Sequence, residues 1–295
     1  MYDELVSRLT PRLTRQRTNF RPNLEPGLKV AATLRHLASG TRYRDMQYAW
    51  RVPHNTLSKV VREVCEAIVG EYLDELMTGP IAEAGCQHIA DEWLQRWNFT
   101  HTVGATDGKH VACKAPPNTG SKYYNYKGFF SIILLGLVSS GYRFLWADGS
   151  GNGAALDAQI YNHSELRQSL DDGNISGWPC PDPLPIDTQD MPNFIVGDAF
   201  SLRTYLMNPY SARDLSREER IFNYRLSRAR RVVENAFGIM TKRFQQHHVD
   251  TVRLIVRTCI LLMRTATQSC RTGCWIISCK MGGWSQGVEE GPEPC

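Results

Sequence analysis

The chain has 295 residues, 42 % apolar and 22 % charged, the make-up of a soluble globular protein with enough apolar surface for a real core. Its longest apolar run, residues 129–138, is interrupted by Ser131 and Gly136 and falls far short of the roughly 20 residues of a membrane helix, so no membrane partner is expected. The net charge of +4 selects no partner by itself, yet residues 1–62 carry 12 Lys and Arg against 4 Asp and Glu, a local +8 that suggests a surface for a polyanion.

Residues 1–27 read as a basic arm in which Pro11, Pro22 and Pro26 break up any long helix. Residues 28–98 read as an all-α segment. Val30, Leu34 and Leu37 repeat at helical spacing up to Ser39-Gly40. Thr41 is placed to cap a short helix over Tyr43–Trp50, and residues 51–53 make a tight turn. The stripe Leu57, Val60, Val61, Val64 and Ile68 then marks a long amphipathic helix behind His54 and Asn55. Three helices with a tight turn before the third is the helix-turn-helix pattern, whose third helix reaches base edges with its first residues. Here those are His54, Asn55, Thr56 and Lys59, while Arg42, Arg44 and Arg51 lie where phosphates would run. The same pattern serves a plain three-helix bundle packed on the next domain, and the charge brings the two readings level. Residues 71–100 read as a linking helix and loop, with Trp93 and Trp97 as packing residues.

From Phe99 the pattern turns to strands followed by helices, and residues 99–262 read as an α/β domain. Residues 101–106 form a short strand ending in Asp107-Gly108-Lys109. Residues 131–139 read as a buried strand, with 142–147 as its neighbour across Ser140-Gly141. Gly149, Gly151 and Gly153 mark a mobile loop, 157–170 a helix, and the proline-rich stretch 171–192 a loop. A second short apolar strand, 194–196, ends at Asp198. Residues 221–246 form a strong helix with Val233, Phe237, Met240 and Phe244 on one stripe. The same helix holds a second basic block that includes Arg228, Arg230 and Arg231. Beyond Cys259 the pattern is lost, and residues 263–295 read as a disordered tail. The nine cysteines are scattered in a chain that opens on polar and charged residues, so free thiols in a reducing compartment are expected. Cys270, Cys274 and Cys279 are too loosely spaced for zinc, with no nearby His as a fourth ligand.

Two aspartates stand at the C-terminal ends of short apolar strands, where an α/β sheet presents its chemistry: Asp107 and Asp198. Glu234 lies on the long helix, about 100° round from Val233 and so at the edge of the apolar stripe. Hard divalent cations take such oxygen ligands, and two of them can clamp the attacking and leaving oxygens of a phosphodiester displacement. Each acid alone reads more readily as a cap, a turn former or a surface charge; the combination carries the signal.

Three strings sharpen it: residues 106–111 (Thr-Asp-Gly-Lys-His-Val), 123–131 (Tyr-Tyr-Asn-Tyr-Lys-Gly-Phe-Phe-Ser) and 222–238 (Phe-Asn-Tyr-Arg-Leu-Ser-Arg-Ala-Arg-Arg-Val-Val-Glu-Asn-Ala-Phe-Gly). With residues 43–45 (Tyr-Arg-Asp) and 52–58 (Val-Pro-His-Asn-Thr-Leu-Ser), they resemble the PIF/Harbinger transposase-derived nucleases, a family of DDE superfamily endonucleases, over about residues 25–245. The resemblance implies a ribonuclease H-like nuclease domain preceded by an all-α helix-turn-helix domain. It implies metal-dependent hydrolysis of DNA with Mg²⁺ or Mn²⁺, catalytic acids Asp107, Asp198 and Glu234, and Asp157 as a further metal ligand. Thirty-five residues separate Asp198 from Glu234, as in the family pattern. Also implied are phosphate contacts from Arg228, Arg230 and Arg231, a Myb-like DNA-binding partner and a place in the nucleus; a share in the cytoplasm and oligomerisation stay open. Two departures stand out. After Asp198 the family has an acidic residue and then Ala-Phe-Pro-Leu; this chain has Ala199-Phe200-Ser201-Leu202, one residue shorter and without the proline. The family's closing Leu-His-Asn is replaced by residues 260–264 (Ile-Leu-Leu-Met-Arg). These departures keep a second reading open, a catalytically impaired DNA-binding or assembly protein of the same origin.

Overall fold

The structure, a computed structural model, describes residues 2–15, 23–77, 83–172, 182–183, 188–241 and 247–269. Phe244, the three tail cysteines and the tail beyond Ser269 lie outside the described residues. Helices α1 (Tyr2–Leu13), α2 (Pro26–Ser39), α3 (Tyr43–Trp50), α4 (His54–Met77) and α5 (Glu83–Trp97) come first. Strands β1 (Thr102–Ala112), β2 (Ser131–Val138) and β3 (Phe144–Asn152) follow, then helices α6 (Asp157–Asn162) and α7 (Glu165–Asp171). Strands β4 (Asp182–Pro183) and β5 (Asp190–Met191) form a small antiparallel ladder. Strands β6 (Phe194–Val196) and β7 (Leu206–Met207) and helices α8 (Arg217–Thr241) and α9 (Val249–Ser269) complete the described chain.

The main sheet has the order β3-β2-β1-β6-β7, with β1, β2 and β3 antiparallel in turn and β6 and β7 parallel to β1 and to each other. Strand β2 is buried along its whole length. That is why it is an unbroken apolar run, as strands covered on both faces are. Helix α8 covers one face, its Phe237 5.7 Å from Phe144 of β3. Helix α6 covers the other, where Ile160 lies over Gly151 so closely that a Cβ at Gly151 would overlap it.

Several elements run further than the apolar pattern indicates. Strand β1 continues through Asp107 to Ala112, because residues 107–112 pair with residues 131–136 of β2. Strand β3 takes in Gly149 and Gly151, with Gly151 paired to Ile133, so these glycines belong to the sheet. The expected helix over 157–170 is two helices, broken where Ser164 caps α7 by accepting from the Arg167 N–H. Arg42, not Thr41, is the N-cap residue of α3. Helix α1 forms despite Pro11: Leu5, Leu9 and Leu13 recur every four residues and are all buried. Burying three leucines, at about 2 kcal/mol each, outweighs one lost backbone hydrogen bond.

Helices α2 and α3 and the start of α4 share a small core of Ala32, Met46, Val52 and Leu57, and Arg51 turns the chain with φ 51°. Helix α4 then leaves this core. It packs Val61 and Cys65 on Ile255 of α9, and Val60, Val64 and Ile68 share a cluster with Leu261. Helix α9 therefore serves the sheet on one side and the N-terminal helices on the other. At the same seam His36 stacks on Tyr43 at 4.5 Å and His247 meets the pair edge-on, 5.8 Å from His36.

Candidate active site

Asp107 sits in the middle of β1 opposite Gly136. A Cβ at Gly136 would press within 2.9 Å of Phe144 and 3.2 Å of Phe237, so this pleat is the one α8 covers. On its other edge β1 pairs with β6 only as far as Ala105 and Val196. Asp107 thus lies just past the last β1–β6 pair, beside the carboxyl end of β6, where open α/β sheets place ligands. Asp198 follows two residues after Val196 at that same end. Its shortened turn is closed by Phe200, which folds back over Gly197, lies 4.8 Å from the Tyr161 ring, and accepts a hydrogen bond from Asn208 at its carbonyl. The Gly197 N–H donates to Met207 O at 3.1 Å, which ties the turn to β7.

Asp157 is the first residue of α6 and comes from the opposite side. Its carboxyl lies directly over Gly108, where any Cβ would overlap it. Neighbouring strand residues face opposite sides of a sheet, so Asp107 and Asp157 flank β1 from its two faces.

The acids act on one another. Burial pushes the Asp107 carboxyl up to about 6; Asp157 and Asp198 push the same way, against the Gly108 N–H and the Arg230 charge. Asp157 is also raised, first by burial and then by Asp198, and is opposed by His110 and Lys127. Arg230 forms an ion pair with Asp198, and its Nε is buried without a hydrogen-bond partner. It thus stands inside the acid group, while Arg228 lies over the Tyr224 ring at 5.9 Å and Arg231 is exposed. Glu234 is one turn beyond Arg230 on the same flank of α8, exposed, and makes no hydrogen bond or ion pair among the described residues.

The donor chemistry fits a hard divalent cation: oxygen ligands only, two of them raised first by burial and then by neighbouring carboxylates, both of which a cation would offset. Among the described residues, however, no three His, Cys, Asp or Glu side chains converge on one point that could hold an ion. Asp107, Asp157 and Asp198 share one electrostatic field without forming a closed shell, and Glu234 stands apart from it. His110 and Lys127 are additions that sequence reasoning missed, although both lie within the strings at 106–111 and 123–131.

The N-terminal basic charge separates into two groups. Arg8, Arg12, Arg15, Lys29 and Arg62 pair with Glu63, Glu66, Glu71 and Glu75 of α4. Arg35 on α2, and Arg42, Arg44, Arg51 and Lys59 around α3 and the start of α4, are exposed and form no ion pair among the described residues; Arg17 and Arg21 lie outside them. Asn55 is exposed beside them, Thr56 is half-buried, and His54 Nδ1 lies 3.2 Å from Gln47 Oε1. A cavity of about 360 Å³ opens between α4 and α9, lined by Tyr43, Lys114 and His247 among others; it contains none of the four acids.

A sequence profile described as DDE superfamily endonuclease matches residues 106–264, more than half of the chain. Curated relatives include "Putative nuclease HARBI1" of Bos taurus and of Homo sapiens, each 26 % identical over 219 residues, covering 74 % of this chain and 58 % of the relative. "Protein ALP1-like" of Arabidopsis thaliana is 22 % identical over 222 residues, covering 74 % of this chain and 53 % of its own. The chain thus spans just over half the length of the curated relatives it matches. No solved structure matches it. Among the described residues no helix is long and apolar enough to cross a membrane.

Proposed function

The chain belongs to the DDE superfamily endonucleases of Harbinger-transposase descent, and from that premise we propose that it hydrolyses DNA phosphodiester bonds with a bound divalent cation, Mg²⁺ or Mn²⁺. The observation that carries this reading is the grouping of Asp107, Asp157 and Asp198 about β1 and the carboxyl end of β6, near enough to act on one another, with Asp107 and Asp157 both above the usual carboxylate range. In this reading the domain is ribonuclease H-like. Asp107 and Asp198 would hold the cation, and Asp157 and Glu234 would complete its ligand set. When bound, such a cation makes a water molecule acidic enough to attack and offsets charge on the phosphate. Arg230 steadies Asp198 until substrate arrives, and Arg228 and Arg231 supply cationic contacts to the DNA backbone. The exposed face with Arg42, Arg44, His54, Asn55, Thr56 and Lys59 contacts DNA away from the acid group. A Myb-like partner and a nuclear location belong to the same proposal.

One observation favours a second reading. Arg230 already satisfies Asp198, so the acid group is partly neutralised from within. A chain fixed in that state would be a catalytically impaired DNA-binding or assembly protein. Two measurements separate the readings: plasmid cleavage in Mg²⁺ or Mn²⁺ by wild type and Asp107→Asn, and calorimetric metal binding by wild type and Asp198→Asn. Cleavage that falls to background in Asp107→Asn supports the nuclease. Equal rates in the two proteins overturn it, and metal binding without any cleavage favours the second reading.

A further inference from the structure

The string at 123–131 has no role in the chemistry above, yet it forms a closely bonded turn beside the acids. Asn125 is buried at its centre. Its Oδ1 accepts from the Lys127 and Phe129 N–H groups at 2.9 and 3.2 Å, and its Nδ2 donates to Ser131 Oγ at 2.9 Å. Ser131 Oγ also lies 3.0 Å from His110 Nδ1, which ties the turn to β1. Gly128 closes the turn at φ 83°, a left-handed conformation that suits glycine.

Out of this fixed turn projects Tyr126, 81 % exposed. The edge of the His110 ring supports it, with ring centroids 5.5 Å apart and planes at 71°. Lys127 Nζ lies 5.3 Å from the centre of the same ring. Isolated exposed aromatics are common on protein surfaces, so exposure alone decides nothing. Three further facts do: the turn is held by its own hydrogen bonds, a cation stands over the ring, and His110, against which the ring packs, lies two residues along β1 from Gly108, on the face that the Asp157 carboxyl covers, which places the ring at the edge of the acid group. A flat, pre-positioned ring with an adjacent cation suits a nucleobase and its phosphate. In an intact duplex both faces of each base are already covered by neighbours, so only an unpaired base can lie on such a ring.

We propose that Tyr126 is a stacking platform for an unpaired base next to the phosphate held at the acid group, with Lys127 on that nucleotide's backbone. The substrate class is therefore DNA with a splayed or single-stranded segment at the cleavage point. This rests on the reading of the acid group as a DNA-cleaving site.

The test uses the full chain in Ca²⁺, which takes oxygen ligands as Mg²⁺ does, with gel electrophoresis of the same samples to verify that the oligonucleotides stay intact. Fluorescence anisotropy follows a labelled thymidine oligonucleotide of about 12 nucleotides and a duplex of the same length. Tyr126→Ala should bind the single strand about tenfold more weakly and the duplex as wild type does. Tyr126→Phe should bind like wild type, and Tyr126→Leu, which keeps apolar bulk without an aromatic face, should behave like the alanine variant. Melting followed by circular dichroism checks that the variants fold. Unchanged single-strand affinity in Tyr126→Ala, an equal loss on both oligonucleotides, full affinity in Tyr126→Leu, or no single-strand binding by wild type each overturns the proposal. Metal-dependent cleavage without any Tyr126 effect removes the platform and leaves the nuclease; a Tyr126 effect in a chain that never cuts DNA removes the nuclease and leaves the platform.

Discussion

Asp107 carries a conflict between stability and function that can be measured at one residue. Its carboxyl titrates near 6 in the folded protein, against 3.8 for an ordinary aspartate, with burial as the main cause. A raised acid contributes stability below pH 3.8 and loses it as pH rises through about 6. At neutral pH the ionised group is therefore a burden on the fold. Asp107→Asn, without divalent cation, should raise the unfolding free energy at pH 7 to 8 by on the order of 2 kcal/mol, less whatever solvent screens. The gain should fade as pH falls from about 6 toward 3.8. His247, held down to about 4 chiefly by burial, slopes the other way in the same window, so variant and wild type must be compared at each pH. Urea unfolding across that range is the check, and a variant less stable than wild type at pH 8 would overturn the prediction. Asp107 is legible in the sequence because it sits in the string at 106–111, whereas Asp157 is reached only through the family resemblance. The Arg230 pairing is not, since nothing local says which acid an arginine on a helix will meet. By sequence Arg230 belongs with Arg228 and Arg231 as a phosphate contact, and only packing of α8 across β1 and β6 separates them.

At the scale of elements, the misreadings of the sequence share a physical origin. Periodicity reveals an element only where one side is apolar and the other polar. Helix α9 is apolar on two sides because Val256 and Ile260 serve the sheet core while Ile255 and Leu261 serve the N-terminal helices. Its pattern therefore dissolves beyond Cys259, although the helix continues to Ser269. Strand β1 beyond Asp107 is the converse: Gly108, Lys109 and His110 are polar or small, and only pairing with β2 keeps them in the sheet. The buried strand β2 and the helix α8, whose patterns are unmixed, are legible in kind. This double duty predicts that Leu261→Ala costs about 2–5 kcal/mol. Leu261 is 1 % exposed within a cluster that includes Leu9 and Ile68. Helical circular dichroism and tryptophan fluorescence should lose stability together in urea, because three of the seven tryptophans, Trp93, Trp97 and Trp146, sit in or against the sheet core that shares α9. Loss confined to the helical signal would show that the two parts unfold separately.

For the molecule as a whole, a net charge of +4 conceals a partition that neither composition nor spacing displays. The local +8 of residues 1–62 is read from a stretch that stops just short of its own counter-charges, since Glu63, Glu66, Glu71 and Glu75 follow on α4. Folding brings those acids back onto Arg8, Arg12, Arg15, Lys29 and Arg62, and leaves Arg42, Arg44, Arg51 and Lys59 to act on solvent. A cation already paired within the protein has few condensed counterions to displace from DNA; an unpaired one displaces about one. Paired and unpaired cations should therefore separate in the salt dependence of binding. Because α4 shares its core with α9, the whole chain is the right object for the measurement rather than its N-terminal helices alone. For full-length protein on a duplex in EDTA, Arg44→Gln and Lys59→Gln should each lower the slope of log affinity against log salt by about 1. Arg12→Gln and Arg62→Gln, which remove partners of Glu71 and Glu66, should leave that slope unchanged. If all four substitutions lower the slope alike, the paired arginines also face the DNA, and the exposed face of α3 and α4 loses its claim as the binding surface.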